Sequence, residues 1–365
     1  RVFKSIFSRL DPFSFVMAKQ RNIVFDAVKL FTVFMMLWGH SVAYLQEGEG
    51  QDNPIFIAFY SFRMPLFMTV CGFFSGSAMK LGFVDFLLKK GRQLLLPALA
   101  FWVPIGICVY IKSGFGNFLI SLDISFWYLK CAFLCFSLYY LASRAVKPLW
   151  AKFLLSLVAA LFITPYSVDR MFPFFIFGVF LKDYYHFVKR RSGSIALFAG
   201  IVFLFLFFNF DNEIFTSMRF SCVRMAFANG EDWGYRLGCY FMAVLTGIAG
   251  SVFFISLFEY LSTLITAGRL GRKVASWGSE TLGIYLLQTL FIELLPKYVG
   301  RIEGMDFMVY HFVVTPLYSA LVLLVSIGII RLMERSRWLS FLVLGRELRR
   351  EAGGGSVGRV DAAGV

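Results

Sequence analysis

The sequence predicts an all-α integral membrane protein: a bundle of about ten transmembrane helices with both termini in the cytoplasm. Three observations carry that prediction. Hydrophobic residues make up 59% of the chain and charged residues only 16%, against about 45–50% and about 25% in soluble domains. Apolar runs long enough to cross a bilayer, about 17–25 residues each, recur along the whole length. The basic residues are also distributed unevenly between the segments that join those runs.

Spans are expected near 23–45, 54–79, 94–111, 124–142, 150–165, 172–188, 194–210, 236–261, 279–299 and 307–331. With the N-terminus inside, 26 of the 36 Lys and Arg residues fall on the cytoplasmic side and seven outside, while Lys29, Arg63 and Lys130 lie within spans. Arg170 is one of the seven counted outside. This asymmetry orients the bundle. It also explains the net charge of +14 as contact with anionic lipid headgroups rather than with nucleic acid. The domain plan is a cytoplasmic segment at 1–22, a membrane domain at 23–335 and a cytoplasmic tail at 336–365, Gly-rich and without expected structure over 353–365. The first 22 residues lack the apolar core and cleavage site of a secretory leader, so none is expected.

Several elements have readable local features. The inner segment 80–93 reads as a short amphipathic helix on the cytoplasmic leaflet. The second span contains Pro65, which removes a backbone donor and is tolerated where helices pack or a cavity forms. The outer segment 211–235 is the longest loop and is long enough to serve a function or merely to cover the bundle. The six cysteines show no metal-ligand spacing. Cys131 and Cys135 lie one helical turn apart and read as packing, and Cys222 and Cys239 are candidates for a disulfide on the oxidising side. With 46 Phe in the chain, no single Phe is given a functional role. Of the three histidines, His186 and His311 fall at membrane boundaries, where a snorkelling imidazole is unremarkable. Lys130 lies near the outer end of the fourth span and is also expected to snorkel.

The chemistry is concentrated in the first two spans. Lys29 and His40 are eleven steps apart, which at about 100° per residue returns to within about 20° of the same face. They share one stripe about 16 Å apart at about 1.5 Å per residue. Ionisable groups inside a membrane are costly and mark function by default, and imidazole is the side chain suited to moving a proton near neutral pH. Asp26, one turn before Lys29, is its natural ion-pair partner. Arg63 lies in the second span at a depth near that of His40. It has no acidic partner on its own helix, so it is either an anion binder or one half of a cross-helix ion pair. No serine nucleophile elbow, Walker loop, paired-His metal motif or dinucleotide fingerprint is present.

Four motifs in order resemble the membrane acyltransferase 3 family: Asp26-x-x-Lys29-x10-His40, Arg63-Met-Pro-Leu-Phe-Met-Thr-Val-Cys-Gly-Phe, Arg92-Gln-Leu-Leu-Leu-Pro97 and Trp277-Gly-Ser-Glu-Thr-Leu-Gly-Ile-Tyr285-Leu-Leu-Gln288. The resemblance extends over roughly residues 20–335, and the Asp-x-x-Lys form leans toward the branch resembling fucose 4-O-acetylases. Gln288 stands where many relatives have His, and Arg63 where many have His. The resemblance implies an acyl-CoA donor, acetyl-CoA in the first instance, reaching the protein from the cytoplasm. It further implies transfer to a hydroxyl of a sugar or lipid-linked glycan, no metal, and a bacterial cell membrane as the location. On that expectation His40 is the general base, Arg63 stabilises the oxyanion, and Lys29 with Asp26 holds the donor. A transporter or flippase for a glycan or anion is the competing expectation.

Overall fold

The computed structural model describes residues 22–47, 50, 52–266 and 268–346. The chain is an all-α membrane protein, and among the described residues the only β-type pairing is an isolated parallel bridge between Gln46 and Ile302. The helices are α1 (Ile23–Tyr44), α2 (Pro54–Phe73), α3 (Phe83–Lys90), α4 (Leu96–Ile124, two arms that meet at a break at Gly114, φ 79°), α5 (Trp127–Ala145), α6 (Leu149–Phe162), α7 (Val168–Arg190), α8 (Ser192–Phe208), α9 (Asn212–Ser217), α10 (Phe220–Asn229) and α11 (Trp233–Tyr260). They continue as α12 (Ser262–Thr266), α13 (Gly268–Gly278), α14 (Thr281–Gln288), α15 (Leu295–Val299), α16 (Phe307–Val309), α17 (Thr315–Met333) and α18 (Arg337–Leu344).

Each of the ten windows expected from the sequence is mostly helical, with non-helical residues at 125–126, 163–164 and 279–280. By length and composition five segments suffice to cross a membrane, and two bent pairs bring the number to seven if each pair is one span. One pair joins Gly114–Asp123 to Trp127–Ala145 at 51°, and the other joins Pro165–Arg190 to Ser192–Phe208 at 115°. A count of ten is reached only if both arms of the second pair and the shorter helices Leu149–Phe162 and Thr281–Leu294 each cross. The short helix expected within 80–93 is α3. It follows a 3-10 turn at Ser75–Lys80 and runs through a π-helical turn at Gly91–Leu95 into α4, so that Phe83–Ile111 forms one apolar segment. The tail at 353–365 and most of the N-terminal segment lie outside the described residues.

The core is built around α2, which contacts α1, α7 and α11. Asn22 and Asn53 start α1 and α2 in the same way, each side chain accepting from two backbone amides of the first turn. Pro54 occupies the first turn of α2, where its missing donor costs nothing. Further along the helix, Pro65 packs against α11: a Cβ at Gly247 would meet Pro65 and Phe174. Small residues bring α2 against α7 as well. A Cβ at Gly72 would strike the Phe175 carbonyl oxygen, and one at Gly178 the Thr69 carbonyl oxygen, the close backbone approach typical of membrane helix pairs. Because both obstacles are backbone, Gly72→Ala and Gly178→Ala are each expected to lower stability by about 1–3 kcal/mol. Gly328→Ala, with open space around it, is the matched control. Melting temperatures of the purified variants in detergent check this, and values equal to the control would overturn it.

His311 differs from expectation. It is 1% exposed rather than snorkelling at a boundary. Its Nδ1 is 2.9 Å from the Phe307 carbonyl oxygen and its Nε2 is 2.9 Å from Asn53 Nδ2. The Trp38 indole donates to the His311 carbonyl and to Thr315 Oγ1 at 3.1 and 3.0 Å. It is a satisfied core imidazole tying α17 and its preceding π turn to α1 and α2. Lys130 does not reach for water alone. Its ammonium donates to the Leu122 and Asp123 carbonyls, the latter at 2.9 Å, and so caps the C-terminal end of α4. The six cysteines are free, so the Cys222–Cys239 disulfide is not formed.

Candidate active site

The site is assembled where α1 crosses α2. Tyr60 and Arg63 lie one turn apart on α2. Gly39 and His40 face them from α1. The Arg63 side chain is fully buried at 0% exposure. Its Nη1 donates to the Met35 and Met36 carbonyls of α1 at 3.3 and 3.4 Å, the two carbonyls that helical geometry aligns with the amides of Gly39 and His40. A Cβ at Gly39 would fall on Arg63 Nη1, so the glycine is what lets the guanidinium lie against α1. The guanidinium stacks over Phe56 at 4.6 Å and Tyr60 at 5.3 Å from the ring centroids. Its Nε and Nη2 are buried without a hydrogen-bond partner, and no carboxylate pairs with it among the described residues.

His40 lies in electrostatic reach of Arg63. Its half-buried ring stacks on Tyr44 at 5.8 Å and meets the edge of Phe56 at 5.9 Å. Its Nδ1 is buried with no hydrogen-bond partner among the described residues. The cross-helix ion pair that the sequence left open for Arg63 is therefore absent from the described residues. In its place an imidazole nitrogen and two guanidinium nitrogens on neighbouring helices are buried without a hydrogen-bond partner. Buried polar groups in that state call for an explanation, and a ligand is one.

Around this pair the tertiary structure adds residues that the sequence did not single out. Arg170, expected on the outside, turns inward at the start of α7. It donates to the Tyr60 hydroxyl, and its guanidinium lies 4.9 Å from the Tyr60 ring and 5.3 Å from the Trp127 ring. Tyr60 is thus held between two arginines from different helices. Phe215 of α9 roofs the site, edge-on to Tyr60 at 5.3 Å and Phe56 at 6.3 Å. The outer segment 211–235 is therefore a packed cover, anchored by the Asp169–Arg219 ion pair at 3.8 Å and by the Ser221 amide donating to Asp169 at 2.9 Å. The available signal for Arg170 was a charged pair, Asp169-Arg170, at the mouth of an apolar run; nothing in the sequence says which way it turns.

Lys29 and Asp26 lie toward the other end of α1. Lys29 Nζ is 2.6 Å from Asp26 Oδ1, with the Lys29 side chain 25% and the Asp26 side chain 6% exposed. Lys29 is thus paired within α1, whereas His40 meets the edge of Phe56 on α2. Gly278, from the late Trp277-Gly-Ser-Glu motif, closes over this end, where an added Cβ would meet the Asp26 backbone and Cβ. Gln288 is 3% exposed and donates to Glu293 at 3.5 Å. Two of the four sequence motifs thus meet at Asp26, and the first two meet at His40.

A family model described as an acyltransferase domain matches residues 22–333. The chain belongs to the acyltransferase 3 family. Among curated proteins it is similar to the nodulation protein NolL of Sinorhizobium fredii (strain NBRC 101917 / NGR234), at 26% identity over 74% of this chain and 78% of the relative. It is also similar to NolL of Mesorhizobium japonicum, at 26% identity over 43% of this chain and 47% of that relative. No solved structure matches it. As a member of the acyltransferase 3 family it is a membrane acyltransferase. The family match takes in α1 through α17, and so covers every residue of the site described above.

Proposed function

We propose that the protein transfers an acetyl group from acetyl-CoA, supplied from the cytoplasm, to a hydroxyl of a sugar or lipid-linked glycan, with His40 as the general base. The observation that supports this most is the pairing of His40 with a buried, carboxylate-free Arg63 across α1 and α2 in a chain of this family. In the reaction the His40 imidazole takes the proton from the acceptor hydroxyl as its oxygen attacks the thioester carbonyl carbon. The carbonyl oxygen becomes an oxyanion, for which the free Nε–H and Nη2–H of Arg63 are the donors. Collapse breaks the carbon–sulfur bond, and the departing thiolate recovers the proton from the imidazolium. The products are the O-acetyl ester and the free thiol.

Lys29, about 16 Å down the same stripe, is placed to hold the nucleotide end of a long, thin donor. Asp26 keeps its ammonium oriented while the site is empty of phosphate. Lys29→Ala is expected to raise the KM for acetyl-CoA with kcat little changed, and Lys29→Arg to restore part of the loss, since guanidinium and ammonium are not equivalent toward phosphate. Donor titration with purified protein checks this. An unchanged KM with a collapsed kcat would move Lys29 into the reaction centre. The function as a whole is tested by incubating purified protein with labelled acetyl-CoA and a membrane extract and identifying the labelled product. Label recovered in an ester-linked acetyl group on a glycan supports the proposal, and absence of any transferred label overturns it.

A further inference from the structure

We propose that a basic cavity between the ends of α2, α5, α6 and α7 binds the headgroup of an anionic phospholipid. The cavity has a volume of about 340 Å³, within the range of about 300–1,000 Å³ typical of ligand sites. It is walled by the 3-10 turn that follows α2, the last turns of α5, the start of α6 and the second half of α7. Arg144, Lys152, Lys182 and Asp183 all stand on its lining. The charge count along the sequence assigns the three cations to inner segments, and the tertiary structure gathers them from two separate segments into one cavity. Basic pockets between membrane helices on that side are suited to phosphate-bearing headgroups. Binding there is independent of acyl transfer.

The lining carries three cations against one carboxylate, an excess of two positive charges. Neither Lys152 nor Lys182 is in an ion pair among the described residues, with Asp183 or with any other acid. Like charges gathered in one small space repel, and a phosphate relieves that repulsion while accepting charge-assisted hydrogen bonds. Two of the cations are held in position by the fold. Arg144 Nη2 donates to the Leu81 carbonyl at 2.7 Å, the carbonyl that also accepts from the Tyr140 hydroxyl at 2.9 Å, and its guanidinium lies 5.1 Å from the Tyr140 ring centroid. The other N–H groups of the fork remain for a ligand. A Cβ at Gly76 would lie 2.5 Å from Lys182 Nζ, so that glycine leaves the space the ammonium occupies. Asp183 is an acceptor for hydroxyls on the head of a polyol lipid.

Two observations favour a lipid over a soluble nucleotide or free phosphate. Tyr139, the aromatic residue of the lining, is buried, and its ring meets Phe153 at 6.2 Å and Phe175 at 6.1 Å. It has no open face on which a base could stack. The mouth of the cavity is instead apolar: Leu149, itself on the lining, is 48% exposed, and Trp150 beside it is 70% exposed. Exposed Trp and Leu at the end of a membrane helix sit where headgroups give way to hydrocarbon, so a lipid with its phosphate among the cations has apolar surface on which to lay its chains.

The test is native mass spectrometry of the purified full chain in detergent, titrated with dioleoylphosphatidylglycerol. The expected result is one tightly retained lipid per chain, with dioleoylphosphatidylcholine bound at least about tenfold more weakly. Lys152→Gln and Lys182→Gln should each weaken phosphatidylglycerol binding about tenfold, the loss of one charge-assisted contact. Lys189→Gln removes the same charge from the exposed end of α7, outside the cavity, and should bind as the wild type does. Because Lys152 and Lys182 have no acidic partner to strand, both variants should melt with the wild type in lipid-free detergent. Added phosphatidylglycerol should then raise the melting temperature of the wild type and of Lys189→Gln more than that of the two cavity variants. Equal binding of the two lipids, unchanged affinity in Lys152→Gln and Lys182→Gln, or an equal loss in Lys189→Gln reflects diffuse surface charge and overturns the proposal. Displacement of the lipid by glycerol 1-phosphate or coenzyme A at matching concentration would assign the cavity to a soluble phosphate and overturn it as well.

Discussion

His40→Ala is expected to lower acetyl transfer by about 10²–10⁴-fold, the range that a positioned general base supplies, while the protein remains folded and inserted. The structure supports the second half of that expectation. His40 Nδ1 is buried without a hydrogen-bond partner, so truncating the ring leaves no donor or acceptor newly unpaired, and the usual penalty for breaking a buried polar contact does not arise. What is lost is contact with Tyr44 and Phe56. His40→Gln keeps a polar side chain at the position but no titratable nitrogen, and is expected to be as inactive as His40→Ala. Turnover of labelled acetyl-CoA by purified variants of matched melting temperature is the measurement. Near wild-type turnover in either variant would remove His40 from the mechanism.

Arg63→Gln is expected to lower turnover by about 10²–10³-fold with little change in donor affinity, as loss of an oxyanion donor does. Were Arg63 one half of a buried ion pair, the same change would strand a carboxylate and cost several kcal/mol of stability. No carboxylate faces Arg63 among the described residues, and its bonds run to the Met35 and Met36 carbonyls, so the melting temperature should move far less than the rate. Gly39→Ala provides a second, independent reading. The added methyl occupies the position of Arg63 Nη1, and the obstacle is the end of a flexible side chain. The helices can therefore stay together while the guanidinium swings away. Turnover should fall although Arg63 is still present. Full activity in both Arg63→Gln and Gly39→Ala would leave Arg63 without a catalytic task.

Legibility differed between particular residues for physical reasons. The Lys29–His40 face was visible because a helical period relates positions on one helix without reference to anything else. The depth match of Arg63 with His40 was visible because each lies a countable number of residues from an outer helix end. Arg170 was counted only as an outer charge because the positive-inside rule counts charges by segment and is blind to the direction of a side chain at a helix mouth. His311 was misplaced for the related reason that a boundary position on a hydropathy pattern says nothing about a neighbouring Asn53 that bonds its Nε2. Lys130 was read only as a snorkelling side chain; the carbonyls it bonds at the end of α4 are presented by the break between α4 and α5 at Ser125–Phe126, which carries no glycine or proline signal.

The sequence by itself determined the solvent, the secondary structure and the stripe. Composition demanded a membrane, a membrane demands helices because every backbone group must be satisfied internally, and the eleven-step spacing put an amine and an imidazole on one face. Only the tertiary structure decided what that face meets. Gly39 admits the Arg63 guanidinium against α1, Gly278 seals Asp26, and Gly72 and Gly178 set how near α2 lies to α7. Periodicity is a property of one helix. Which side chains face one another across two helices depends on how closely and at what angle their backbones pack, and packing is decided by the whole bundle at once.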